Sequence, residues 1–124
     1  MNKIFWNSIQ NFKQDEFDCK CGCGLNNIDK DLVLLLDMAR DESDTPFIIN
    51  SATRCLKHNE DEKGSSNSSH LYGLAVDIEV SSSTQRYLIL TTLVKLGFKR
   101  IGVYKNFIHC DVDMRKSQNV IWYK

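Results

Sequence analysis

Two segments of this chain alternate in a way that suits a β-sheet covered on one face. In Leu74 to Val80, one side carries Leu74, Val76, Ile78 and Val80, and the other carries Ala75, Asp77 and Glu79. In Phe107 to Met114, one side carries Ile108, Cys110, Val112 and Met114, and the other carries Phe107, His109, Asp111 and Asp113. Successive strand residues point to opposite faces. Each segment therefore reads as a strand that buries one side and offers titratable groups from the other.

The second strand has a local partner. Only Lys105 and Asn106 separate Ile101-Gly102-Val103-Tyr104 from Phe107-Ile108-His109, a length that suits a two-residue hairpin. Counting outward, Tyr104 faces Phe107, Val103 faces Ile108, Gly102 faces His109 and Arg100 faces Asp111. Gly102 would leave room for a metal beside His109. Arg100 and Asp111 form an opposite-charge cross-strand pair.

Helical spacing appears elsewhere. Leu32, Leu35, Leu36 and Ala39 recur at helical intervals behind a candidate N-cap, Asp29, and the helix should end near Asp44, before Pro46. A second helix is expected from Ser83 to Leu96, stopped by Gly97, with Tyr87, Leu90 and Val94 in its core stripe. Phe47 to Asn50 reads as a short strand, and Glu60 to Ser69 as a flexible polar loop leading into His70. The expected class is α+β: two main helices on a small, mostly antiparallel sheet whose open face carries the site. At 124 residues the chain has the length of one domain, 1–124.

Sixteen basic and sixteen acidic residues balance, so charge gives no argument for nucleic acid or a membrane surface as partner. No apolar run is long enough to span a bilayer. The start, Met1 to Asn7, lacks the apolar core of a signal peptide. The expectation is a monomer that is cytoplasmic at synthesis, unless something else lets it out.

His70, Asp77 and His109 supply two imidazoles and one carboxylate, the ligand set of a catalytic zinc that keeps a fourth position open for water. Such a centre makes water an effective nucleophile near neutral pH. Spacing alone leaves other divalent metals open, since imidazole and carboxylate suit several.

Ser68-x-His70-x-x-Gly73-x-Ala75-x-Asp77 followed by Phe107-Ile108-His109-x-Asp111 resembles the D-alanyl-D-alanine carboxypeptidase family of zinc peptidases, which share a fold with the vancomycin-resistance D,D-dipeptidases and the hedgehog signalling domain. The similarity extends to Phe17-x-Cys19-x-Cys21-Gly22-Cys23-Gly24, to Ser51-Ala52-Thr53-Arg54-Cys55 with His58-Asn59, and to Arg100 to Tyr104. The chain resembles the compact, single-domain branch, many members of which are encoded by phages or prophages. The resemblance implies zinc on His70, Asp77 and His109, and hydrolysis of peptidoglycan peptides next to a D-amino acid. It also implies that Arg54 faces the substrate carboxylate or the developing oxyanion, for which its planar charged fork is suited. His58 reads as a structural hydrogen-bonding residue.

One departure concerns the general base. Several relatives carry an acid three residues before the last histidine, where this chain has Asn106, and an amide cannot accept the water's proton at neutral pH. Asp111 could serve instead. The favoured role for Asp111 is to orient His109 or to pair with Arg100, which leaves the base unassigned. A zinc-binding module of the same fold without turnover, or a virion component, is the rival.

Five cysteines complete the set. Cys19, Cys21 and Cys23 alternate with other residues, whereas zinc ribbons prefer two residues between paired cysteines. The expectation is free thiols, or a disulfide between this cluster and Cys55. The alternative is a second, structural metal at Cys19, Cys21, Cys23 and Cys55. Cys110, on the apolar strand side, is expected to be a buried, inert thiol.

Overall fold

The computed structural model describes residues 3–124. Helix α1 (Lys3–Asn7) and a 3-10 turn (Gln14–Phe17) precede helix α2 (Lys30–Ser43); strand β1 (Ile49–Ser51), helix α3 (Leu56–Asp61) and a 3-10 turn (Ser69–Tyr72) follow. Strand β2 (Ala75–Glu79), helix α4 (Ser83–Lys95) and strands β3 (Arg100–Val103), β4 (Phe107–Asp111) and β5 (Val120–Tyr123) complete an α+β fold. The sheet order is β1-β2-β4-β3-β5, antiparallel except for the parallel β3–β5 pair.

Helix α2 begins where its cap predicts. The Asp29 carboxylate accepts the Leu32 N–H at 3.0 Å, an interaction worth about 1 kcal/mol. Asp44 ends the helix in the left-handed conformation, φ 54°. Leu32, Leu36 and Ala39 are fully buried and Leu35 is partly buried. Helix α4 is capped by Ser82, which accepts the Gln85 N–H, but its expected stripe is displaced. Tyr87 and Val94 are exposed, while Ile89 and Leu93 are fully buried, with Leu90 partly buried beside them. The helix is apolar on more than one side, so either stripe satisfied the spacing, and packing against the sheet selected Ile89 and Leu93.

The hairpin register holds as expected: Arg100 faces Asp111, Gly102 faces His109 and Val103 faces Ile108. Tyr104 donates its N–H to the Phe107 carbonyl. Val76, Ile78, Ile101, Ile108 and Cys110 join the core on one side of the sheet, and each such side chain contributes on the order of 2 kcal/mol by burial. The fourth strand is shorter than expected. It stops at Asp111, Met114 is 78 % exposed and not on the buried side, and Asp113 is fully buried in a turn closed by Arg115. Strand β1 is displaced to Ile49–Ser51. The loop before His70 is tied, not loose: Asn59 donates to the Ser65 carbonyl and accepts from Arg54, while Gly64 N–H bonds the Asn59 carbonyl. No described helix is long and apolar enough to cross a membrane.

Candidate metal centre

The site is assembled by β4, the central strand. Its pairing with β2 sets His109 opposite Asp77, and its pairing with β3 sets His109 opposite Gly102. His70 comes from the Ser69–Tyr72 turn, whose N-cap Ser68 accepts the His70 N–H at 3.2 Å. Gly73 closes that turn at φ +69°, where a Cβ would also strike the Asn27 backbone carbonyl. The chain thereby reverses into β2 and folds His70 over Asp77.

Three ligand atoms meet in this arrangement. Asp77 Oδ1 lies 3.0 Å from His109 Nδ1 and 3.3 Å from His70 Nε2. All three residues are largely shielded from solvent. Each has an outer partner: His70 Nδ1 donates to the Ala52 carbonyl at 2.8 Å, His109 Nε2 sits 2.7 Å from Asp111 Oδ2, and Asp77 Oδ2 accepts from Arg54 Nη2 at 3.2 Å. Outer hydrogen bonds of this kind fix ring orientation and tautomer for metal binding. The free faces of both rings and of Asp77 Oδ1 point to one another, so the three residues fit a divalent metal with nitrogen and oxygen ligands.

Charges follow from this packing. Burial alone pushes the Asp77 carboxyl up, but His109 and His70 outweigh it and hold it well below the usual carboxylate range. Burial pushes the His109 imidazole down, and Asp111 and Asp77 more than reverse this, so it titrates above an ordinary imidazole.

The cleft over these residues has a volume of about 190 Å³ and is lined also by Arg54, Asp111, Ser69, Lys116 and Trp122. Arg54 is anchored on three sides: Nε donates to Ser51 Oγ, Nη1 to Asn59 Oδ1 and Nη2 to Asp77 Oδ2. A guanidinium has five N–H groups, so one on each terminal nitrogen is left over. Asp111 is buried and spent: Oδ1 accepts from Arg100 Nε at 2.8 Å and from the Asp113 N–H, and Oδ2 holds His109. Asn106 lies away from the cleft, in a hollow with Val80, Ser81 and Arg86. His58, on α3, is not among the converging ligand atoms.

The space opposite His109 is not left for a metal. A Cβ on Gly102 would lie 2.5 Å from Trp122, whose indole fills that place and stands 5.5 Å from the His109 ring. Trp122 Nε1 donates to the Tyr104 hydroxyl at 3.0 Å, and Arg100 stacks over the indole. Sequence reasoning missed Trp122, although the β-branched and aromatic run Val120 to Tyr123 carries a strand signal. It also missed the brace under His70, in which Ser69 Oγ donates to Asp113 Oδ2 at 2.7 Å and Arg115 grips the same carboxylate.

The cysteines also converge. The one-residue spacing, expected to disfavour a metal cluster, does not keep the sulfurs of Cys19, Cys21, Cys23 and Cys55 apart, and all five cysteines are free thiols in the structure. Cys110 is fully buried, and burial pushes its thiol up.

No curated protein matches the chain. A family model described as peptidase M15, a family of zinc-dependent enzymes, matches residues 10–111, a span that contains the His70, Asp77 and His109 group with Arg54 and Asp111. On that match over most of its length, with the fold and the three-residue group in agreement, the chain belongs to the peptidase M15 family.

Proposed function

We propose that this protein is a zinc-dependent peptidase acting on bacterial cell-wall peptides, at a bond next to a D-amino acid, as a carboxypeptidase or an endolysin-type endopeptidase. The observation that carries this is the meeting of His70 Nε2, Asp77 Oδ1 and His109 Nδ1 in a cleft, each with its outer hydrogen bond in place. When bound by these residues, zinc supplies a Lewis acid for the scissile carbonyl and lowers the pKa of water.

The chain's own groups do the rest. Ala52 and Asp111 hold the two imidazoles so that their other ring nitrogens face the metal site. Arg54, fixed by Ser51 and Asn59, offers its remaining N–H groups to a terminal carboxylate or to negative charge building on the carbonyl oxygen. Trp122 walls the cleft on the β3 side and excludes water from one flank. Lys116, whose Nζ bonds Ser69 Oγ, adds a second cation for an anionic peptide. The D-amino acid preference and the cell-wall substrate rest on the motif resemblance. Release of the protein onto the wall rests on the resemblance to the phage-encoded branch.

One observation favours a second reading, a zinc-binding module without turnover. Among the described residues, the carboxylates lining the cleft are Asp77 and Asp111, and both are bound by rings and guanidinium groups. None is free to take a proton from water. Digestion of purified peptidoglycan, with mass analysis of released peptides, separates the two. Release that stops with a chelator and returns with zinc supports the peptidase. No release from peptidoglycan or D-alanine-terminated peptides, with the centre fully loaded, selects the module.

A further inference from the structure

Outside the cleft, the sulfurs of Cys19, Cys21, Cys23 and Cys55 all lie within 4.8 Å of one another. Cys19 and Cys21 are 3.4 Å apart and Cys21 and Cys55 are 3.7 Å apart. Four sulfurs bound to zinc at about 2.3 Å stand about 3.8 Å apart at the corners of a tetrahedron. The observed spacing needs little adjustment to match. A disulfide would bring a pair to about 2 Å, well inside the 3.4 and 3.7 Å separations of Cys19–Cys21 and Cys21–Cys55.

The surroundings are those of thiolate ligands. Cys19 Sγ accepts the Cys55 N–H at 3.4 Å, Cys55 Sγ accepts the His58 N–H at 3.4 Å, and Cys23 Sγ accepts the Leu25 N–H at 3.5 Å. Outer hydrogen bonds of this kind hold ligand atoms in place. Gly22 and Gly24 both adopt φ +86°. Two left-handed residues curl the segment so that sulfurs one residue apart share one side of the loop, which an extended strand of the same spacing would align along its length. Cys21 and Cys23 are exposed, which gives an ion a path in.

We propose that Cys19, Cys21, Cys23 and Cys55 hold a structural zinc ion, independent of the centre in the cleft. Four protein sulfurs close the coordination shell, leaving no position for a substrate. All-sulfur, tetrahedral ligation also selects zinc over magnesium or calcium. The site clips the loop after Phe17 to the residue that caps α3, next to Arg54.

Metal analysis of the full chain, purified under reducing conditions, tests this. The expected content is two zinc ions per chain in the parent and one in the double variant His70→Ala, His109→Ala. Adding Cys21→Ser to that double variant should remove the last ion. Trace zinc in the folded double variant, or iron in its place, overturns the assignment. So does zinc undiminished by Cys21→Ser. A second measurement avoids the cysteine variant: the double variant loaded with cobalt(II) should show thiolate-to-cobalt charge-transfer absorption. Bound cobalt without that absorption, or no cobalt at all, also overturns it.

Discussion

His70, Asp77 and His109 stand on paired strands and a capped turn, whereas Cys19, Cys21, Cys23 and Cys55 stand on a loop bent by two glycines and on the residue that caps a helix. The first group has three ligand atoms and opens into a cleft; the second has four and closes on itself. The sheet fixes Asp77 against His109 through register alone, so that pair is as rigid as the β2–β4 ladder. The cysteine loop has no ladder; Cys19 N–H bonds the Leu25 carbonyl, Gly22 N–H the Cys19 carbonyl and Cys55 N–H the Cys19 sulfur. A centre that must keep one position free is built on rigid backbone, because no fourth ligand holds it together. A centre that saturates its ion can be built on loops, because the ion supplies the order.

The sharpest way to break this comparison is to remove a ligand from one side and read the other. His109→Ala should abolish peptide release and empty the cleft while the sulfur site keeps its metal, read by zinc analysis beside the activity assay. Loss of both ions together would show that the two clusters are not independent.

Arg54→Ala probes the cleft without replacing a proposed ligand. Removing an oxyanion-type donor costs on the order of a hundred- to a thousand-fold in rate. The Asp77 contact adds weaker zinc binding to that loss. Arg54→Lys should recover little, since a point charge cannot span Ser51, Asn59 and Asp77. Full activity in the lysine variant would remove Arg54 from the mechanism.

Asp111→Asn is expected to be milder, about ten- to a hundred-fold in metal affinity or activity, as for other residues that orient a ligand histidine. A loss as deep as that of His109→Ala, with zinc retained, would instead make Asp111 the proton acceptor.

Two stability effects follow at smaller scale. Gly102→Ala drives a methyl into Trp122 and should cost about 1–3 kcal/mol, visible as a lowered Tm. Asp113→Asn weakens the brace beneath His70 by about 1–2 kcal/mol at neutral pH. Arg115 holds the Asp113 carboxyl well below its ordinary range. Its contribution is therefore complete above the unfolded value near 4 and is lost as pH falls further. Denaturation curves of parent and variant should converge on acidification; a constant gap would mean that Asp113 does not titrate in this way.

Where local rules suffice, the sequence was a reliable guide. Asp29 is a cap that acts on a residue three positions away. The β3–β4 hairpin register follows from a two-residue turn and the alternation of Ile101, Val103, Ile108 and Cys110. His70, Asp77 and His109 could be picked out as candidates because their residue types, and for Asp77 and His109 their strand sides, are written in the chain. Alternation misled at Met114, since the turn at Asp113 depends on Ser69 and Arg115, both beyond strand periodicity. It gave no help in choosing which apolar stripe of α4 meets the sheet.

By itself, then, the sequence determined the faces of β2 and of Phe107 to Asp111, the hairpin register, the α2 cap and the chemistry of the ligand types, because each depends on neighbours a few residues apart. Only the tertiary structure decided that Trp122 fills the space beside His109, that Arg54 is anchored on Asp77, that Asp111 is shared between Arg100 and His109, and that Cys55 joins three cysteines more than thirty residues away. These contacts link segments distant along the chain. Their geometry is set by how helices, strands and loops pack against one another, which no local pattern of residues encodes.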